Sequence, residues 1–337
     1  MNAQTTDNEF VTAFRSQLDW LYPLSSVNLL QILNPVRPIM FKLNEWKMNR
    51  YLMDVMNKRF VDRGDQVTTT KRSKPIIDLA MDVYKEEGSQ QDIKTLNATF
   101  KKEALKHIKI FMFAGHDTTS STICWVGYVL TKYPEISHRF RQECDEVFGP
   151  DPSGAAQKIK EDPRILNRLP YATAIIKEVL RLWPAASSVR KGLPDFFINY
   201  DGRQYPTEGT ITWPVVHAIQ RNPRFWPQPN AFLPDRWLAQ EGDPLFPTKG
   251  AWRAFEHGPR NCIGQELAML ETKIVMALLF RTMKVETAYE EFDAMQEKAG
   301  KGRKGGVKTT PEGERAYQVL IATAKPCDGM PARMQWL

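Results

Sequence analysis

Cysteine is scarce in this sequence: the four residues Cys124, Cys144, Cys262 and Cys327 lie far apart, with no CxxC pair. Neither a disulfide framework nor a structural zinc cluster is supported, and a reducing compartment is the default. Long apolar runs are also missing. Leu21 to Leu33 is interrupted by Pro23, Ser25, Ser26, Asn28 and Gln31, well short of the roughly 18 apolar residues that a membrane span needs. Met1 to Phe10 is polar, without the basic start and apolar centre of a signal peptide, so the expectation is a chain with no transmembrane anchor of its own. An excess of one charge sign is lacking too. The 46 basic and 39 acidic residues are interspersed, and the net charge of +7 does not gather into a nucleic-acid surface. Two basic runs, Lys71 to Lys74 and Lys301 to Lys308, read as solvated loops, so no nucleic-acid partner is expected. There is no internal repeat, and the low-complexity stretch Ala299 to Gly306 reads as a surface loop.

What is present is core-forming material. Hydrophobic residues make up 42% of the 337, with 17 Phe, 9 Trp and 10 Tyr, which excludes disordered and collagen-like chains. Helical periodicity dominates the first half. Met40 to Phe60 spaces Phe41, Leu43, Trp46, Tyr51, Leu52 and Val55 for a helix, and Ile76 to Tyr84 repeats the pattern. Asn97 to Tyr133 predicts an unusually long helix, stopped by Pro134. Further helices are expected at Ile136 to Phe148, at Tyr171 to Trp183 between Pro170 and Pro184, and from Gln265 to Met283. Short strands are expected at Phe196 to Tyr200 and Thr210 to Val216, with turns at Asp201-Gly202 and Glu208-Gly209. No linker divides the chain, so a single, mainly α domain over residues 1–337 with small β-sheets is expected.

Three segments carry chemistry. In Phe255-Glu256-His257-Gly258-Pro259-Arg260-Asn261-Cys262-Ile263-Gly264, two glycines flank a cysteine and let the backbone turn tightly and approach a planar ligand. A thiolate at the mouth of a helix, two residues from Arg260, is electrostatically favoured and suits a metal. The plain alternative is a small buried hydrophobe. A zinc site would need three or four converging ligands, and only His257 is near. The second segment is Ala114 to Thr122, where the apolar run of the long helix turns polar at His116. Its hydroxyls can bond back to the helix backbone and promote a kink; a solvated stripe is plausible for Ser120 to Thr122. The third pairs Glu178 with Arg181 on one helix face, as a surface ion pair or, given Ala174, Ile175, Val179, Leu180 and Leu182 around it, a partly buried one.

Together these segments resemble the cytochrome P450 family, the haem-thiolate monooxygenases, whose FxxGxRxCxG signature is complete at residues 255–264. The resemblance implies that Cys262 is the axial thiolate of haem iron, that Arg260 partners a haem propionate, that Phe255 packs beside the thiolate, and that Gly258 and Gly264 belong to the same haem-binding loop. A thiolate ligand pushes electron density onto iron and favours O–O cleavage. It further implies that Ala114 and Gly115 leave room above the haem and that Asp117 and Thr118 relay protons during oxygen activation; His116, at a variable position, has no catalytic role. Glu178 and Arg181 match the family's ExxR motif, which with Arg236 of Phe232 to Trp237 forms a structural network. Arg190 stands where a second propionate contact is common, Pro184 to Val189 where the family lines its substrate pocket, and Gln318 to Cys327 resembles the terminal strands, one turn of which approaches substrate.

The expectation from this resemblance is the mostly helical cytochrome P450 fold with its N-terminal part missing, since no Trp-x-x-x-Arg segment upstream of the long helix has the placement of the family's haem-contacting early helix. The implied activity is insertion of one atom of O₂ into a lipophilic small molecule, as in secondary metabolism, with haem as cofactor and electrons from NADPH through a reductase. A truncated, non-catalytic haem-binding remnant is the alternative. Relatives of this kind usually sit on the cytosolic face of the endoplasmic reticulum, whereas a chain without the anchor has no fixed address or is cytoplasmic.

Overall fold

A computed structural model describes residues 8–21, 34–62, 77–79, 81–82, 96–302, 307–321 and 323–337. The interrupted run between Leu21 and Leu33, the basic run Lys71 to Lys74 and parts of Ile76 to Tyr84 and Lys301 to Lys308 lie outside these residues. The chain forms two compact units, residues 1–114 and 115–337, whose boundary falls within the long helix.

In the first unit, α1 (Glu9–Leu21) and α2 (Val36–Asp62) pack together. Asn8 and Asn34 start them, with Asn8 Oδ1 accepting the Phe10 N–H at 2.9 Å and Asn34 Oδ1 that of Val36 at 2.9 Å, the usual way of satisfying orphan donors at a helix start. The Asn34 cap places the start of α2 four residues ahead of the expected Met40. The buried face is Met48, Leu52, Met56 and Phe60, spaced by four and packed with Phe10 and Ala13. Leu43, Trp46 and Val55, part of the periodicity seen in the sequence, are exposed. Residues 77–79 and 81–82 are helical, and Asp78 receives the Arg59 guanidinium at 2.7 Å.

Helix α3 (Ala98–Lys132) runs without a break from one unit into the other. In the second unit its C-terminal half packs with α4 (Pro134–Phe148) and α6 (Pro170–Leu182), while α5 (Ala155–Glu161) lies between them in sequence. Pro134 both ends α3 and opens α4, because proline lacks the N–H that a first helical turn leaves unused. Glu143 of α4 accepts the N–H groups of Tyr171 at 2.6 Å and Ala172 at 2.9 Å, capping α6 from outside. Trp125 is fully buried and stacks on Trp183, with centroids 4.5 Å apart and planes at 8°; such a pair contributes about 0.5–1.5 kcal/mol beyond its burial.

Among the described residues the unit also holds four two-stranded antiparallel sheets: β1 (Arg190–Lys191) with β4 (Ile211–Thr212), β2 (Phe197–Tyr200) with β3 (Arg203–Pro206), β5 (Met283–Thr287) with β8 (Ala332–Trp336), and β6 (Gln318–Ile321) with β7 (Thr323–Pro326). The Asp201-Gly202 turn has φ of 49° and 71°, as a two-residue hairpin needs. A Cβ on Gly192 would lie 1.6 Å from the Thr207 carbonyl oxygen, so only glycine fits that approach. Helix α7 (Gln265–Val275) is shorter than expected: residues 276–280 widen into a π-turn, closed by the Arg281 N–H on Met276 O at 3.0 Å, and Met283 already belongs to β5. Helix α8 (Tyr289–Lys298) follows. Residues 211–216 hold only the two-residue β4 and the start of a short helical turn, Val216–Ile219, where a longer strand was expected.

Candidate functional site

The cysteine loop is bent by two residues in the left-handed region, Glu256 with φ 59° and Gly258 with φ 81°. A side chain there costs about 1–2 kcal/mol, which glycine avoids at 258; at 256 the Arg253 guanidinium anchors the carboxylate, donating to Oε2 at 2.7 Å. The bends return the chain so that the Phe255 carbonyl accepts the Cys262 N–H at 2.8 Å and the Gly258 carbonyl accepts that of Asn261 at 3.0 Å. Cys262 is left exposed with a free thiol, three residues ahead of α7. His257 is tied to its own loop, its Nε2 2.8 Å from the Trp252 carbonyl oxygen, and among the described residues no three His, Cys, Asp or Glu side chains converge on a point. The multi-ligand zinc alternative therefore lacks its ligands there.

Cys262, Phe255 and Arg260 line a cleft with about 770 Å³ of empty space, partly open to solvent. Thr118, Thr119 and Thr122 of α3 line it on one side, Ile176 and Leu180 of α6 form an apolar wall, and Ala185 to Ser188 a further wall. Of the residues singled out from the sequence, the cleft thus brings together Thr118, Phe255, Arg260 and Cys262. It does not include Gly258, Gly264, Arg190 or Asp117 among its lining, and Ala114 and Gly115 are exposed. Arg190 lies on β1 and donates to Ser188 and to the Val189 carbonyl. The hydroxyls of α3 bond backward as their chemistry allows, Thr122 Oγ1 to Thr118 O at 2.9 Å and Ser120 Oγ to Asp117 O at 3.2 Å, yet the helix continues unbroken. The solvated-stripe reading of Ser120 to Thr122 fails for Ser121 and Thr122, both buried.

Asp117 is buried and turned to β7: its Oδ1 accepts Lys325 Nζ at 2.7 Å, and its Oδ2 accepts the Thr323 hydroxyl. Glu178, Arg181 and Arg236 are together, each with no exposed side-chain surface. Arg181 grips Glu178 through two hydrogen bonds and also donates to the carbonyls of Gln220, Pro229 and Ala231 at 2.7–2.9 Å. Arg236 reaches Glu178 at 3.3 Å and Gln228 O at 2.8 Å, and Trp237 Nε1 donates to Glu178 at 3.1 Å. Burial holds the Arg236 guanidinium below its usual value, against the pull of Glu178. One carboxylate thus fastens α6 to the strand-poor segment that leads into the cysteine loop. Trp237, Trp252 and Phe255 continue that link as a series of ring contacts at 5.4 and 5.8 Å.

A soft thiol ligand, a cation and apolar walls in one cleft suit a flat apolar macrocycle with anionic edges. A family model, Cytochrome P450, matches residues 1–311. The chain belongs to the cytochrome P450 family. Among cytochrome P450 relatives, it is 38% identical over 335 residues to the cytochrome P450 monooxygenase polC of Polytolypa hystricis, covering 99% of this chain and 58% of polC. It is 32% identical over 346 residues to the cytochrome P450 monooxygenase acrF of Aspergillus aculeatus, covering 97% of this chain and 67% of acrF. The chain therefore spans about three-fifths of polC and two-thirds of acrF. The crystal structure of the cytochrome P450DA haem domain shares the fold, with a TM-score of 0.68 at 18% identity over 98% of this chain and 61% of that one. That of a cytochrome P450 (CYP102L1) gives 0.68 at 20% identity, over 98% and 65%. The expected mainly α cytochrome P450 fold is thereby established.

Sequence reasoning missed Thr119 and Thr122, although with Thr118 they share one helix face at spacings of one, three and four. It also missed Met269 and Thr272 of α7, for which no local signal exists: they reach the cleft only because the cysteine loop and α7 are folded back together.

Proposed function

We propose that this chain is the haem-holding part of a monooxygenase that inserts one oxygen atom of O₂ into a lipophilic small molecule, in secondary metabolism of the fungal kind that polC and acrF suggest. Haem, when bound by a thiolate, supplies the reductive activation and splitting of dioxygen. The supporting observation is a free, exposed Cys262 thiol in one cleft with Phe255, Arg260 and Thr118.

In this reading Cys262, held in place by its N–H on the Phe255 carbonyl, would hold the haem iron through its sulfur, and Arg260 would neutralise a propionate. Phe255 packs beside the sulfur. Gly258 and Gly264 shape the loop, Arg190 supplies a second propionate contact on movement of its side chain, and Ala114 with Gly115 keeps the preceding turn of α3 free of bulk. Thr118 holds a proton at Oγ inside the cleft, and Asp117, next in the chain, replenishes it. Ile176, Leu180 and Ala185 to Ser188 favour an apolar substrate by excluding water. Electrons come from NADPH through a reductase, at the endoplasmic reticulum membrane as the resemblance implies; among the described residues no helix is long and apolar enough to cross a membrane.

The test is reconstitution of the purified 337-residue chain with haem, an NADPH-dependent reductase and a panel of lipophilic compounds. Stoichiometric haem with substrate-dependent oxygenated product is the expected result. Haem without turnover would select the non-catalytic haem-binding alternative.

A further inference from the structure

The bend that turns the cysteine loop back on itself is made at a position where glycine would be free of strain and glutamate is not. Glu256 has φ of 59°, a region that residues with a Cβ enter only at a cost. Its side chain is 10% exposed and lines the cleft, yet only Oε2 is paired. Arg253 donates to that oxygen from Nη2 at 2.7 Å and from Nε at 3.2 Å, while Oε1 is buried without a hydrogen-bond partner among the described residues. Strain and an unsatisfied buried oxygen both work against stability. A residue that carries both at once points to a local task other than packing.

Arg253 is itself fixed from the protein interior. Gln220 is fully buried, and its amide uses two donors and one acceptor: Nε2 donates to the carbonyls of Leu180 and Arg181 at 3.0 Å each, and Oε1 accepts the Arg253 N–H at 2.7 Å. Those two carbonyls belong to the last turn of α6, where helix geometry leaves them without partners inside the helix. The end of α6 thereby holds the Arg253 backbone, and the Arg253 guanidinium holds the Glu256 carboxylate. The Glu256 N–H closes the turn on the Arg253 carbonyl at 3.0 Å. The Phe255 carbonyl, which accepts the Cys262 N–H at 2.8 Å, lies in the planar peptide unit joining Phe255 to Glu256, so rotation about φ of Glu256 sets its direction relative to the anchored side chain.

We propose that Arg253 and Glu256 are a positioning pair: by holding the Glu256 backbone in the left-handed region they aim the Phe255 carbonyl at the Cys262 N–H and so fix where the sulfur stands. The proposal rests on the haem-thiolate reading above for what the sulfur does. Glycine at 256 would permit the same φ but also many others, and could not hold the carbonyl in one direction. The ion pair supplies the restraint that glycine lacks.

The test uses Glu256→Gly, Glu256→Gln, Arg253→Met and the Arg253→Met/Glu256→Gly double variant of the full chain. Because glycine accepts the left-handed bend without strain, Glu256→Gly is expected to keep its urea midpoint close to that of the wild type, which separates positioning from loss of fold. Before haem is added, hydrogen exchange of the Cys262 N–H is expected to be faster in Glu256→Gly and in Arg253→Met. After haem is added, both are expected to lose part of the thiolate-type Soret band of the reduced carbon monoxide complex to a band at shorter wavelength. The double variant is expected to lose no more than the larger single loss, because each change removes the same contact. Glu256→Gln, which keeps an acceptor oxygen for Arg253 at the same reach, is expected to retain most of the band. A Glu256→Gly protein with wild-type exchange at Cys262 and the wild-type band would make the pair merely structural and overturn the proposal, and additive losses in the double variant would overturn the contact on which it rests. A wild-type chain with no thiolate-type band would remove the haem reading instead, and the exchange rates at Cys262 would then decide the positioning by themselves.

Discussion

Arg181 and Glu178 form a two-pronged ion pair, Nε to Oε2 at 2.9 Å and Nη2 to Oε1 at 2.8 Å, with neither side chain exposed. Two guanidinium groups, those of Arg181 and Arg236, share this one carboxylate.

The sharing makes the network asymmetric. Glu178→Ala leaves two buried cations unopposed, whereas Arg236→Met leaves Glu178 still paired with Arg181 and removes a guanidinium whose Nη1 has no hydrogen-bond partner. Breaking a buried pair from one side costs about 3–5 kcal/mol, a large share of a total of roughly 5–15 kcal/mol. Glu178→Ala is expected to yield little folded protein, and Arg236→Met clearly more. Equal yields and equal urea midpoints would contradict the asymmetry.

A second prediction concerns alkaline stability. Lys273 of α7 is buried, its Nζ donating to the Leu166 carbonyl at 3.2 Å, and burial holds its ammonium below the usual 10.5, opposed by Glu266. In the window from that lowered value up to 10.5 the unfolded chain binds more protons than the folded one, so stability rises with pH there. Relative to Lys273→Met, the wild type is expected to gain stability as the pH is raised from neutral towards 10.5, read as the difference in urea midpoints. A difference that stays constant or shrinks would contradict it.

Thr118 faces the cleft, and its backbone carbonyl, not its hydroxyl, receives the Thr122 bond. Thr118→Val therefore keeps the helix ladder and is expected to leave haem loading unchanged while diverting electrons from product to peroxide. Proton delivery by a positioned group typically contributes about 10²–10⁴-fold, so the loss of coupling should be large. Unchanged coupling would remove Thr118 from the proton path.

The site was legible where its chemistry is local. The loop from Phe255 to Gly264 carries its turn residues, its thiol and the helix it feeds within ten positions, and Glu178 with Arg181 lies on one helical turn. Long-range placements left no such mark. The direction of the Asp117 carboxylate depends on Lys325, more than 200 positions along the chain, and the burial of Ser121 and Thr122 depends on the packing of the second unit. Strand β5 was hidden because the helical pattern from Gln265 reads on to Met283, and the pairing with β8, at the far end of the chain, leaves no local mark. In α2 the exposed Leu43 and Trp46 show that apolar spacing alone does not tell which face is covered.

The most direct measurement is the carbon monoxide difference spectrum of the reduced, haem-supplied chain, taken for the wild type and for Cys262→Ala, with Cys124→Ser, Cys144→Ala and Cys327→Ala as controls. A red-shifted Soret band of the thiolate type in the wild type and in all three controls, abolished in Cys262→Ala, is the expected result. A thiolate-type band that survives in Cys262→Ala would contradict the assignment of Cys262 as the iron ligand.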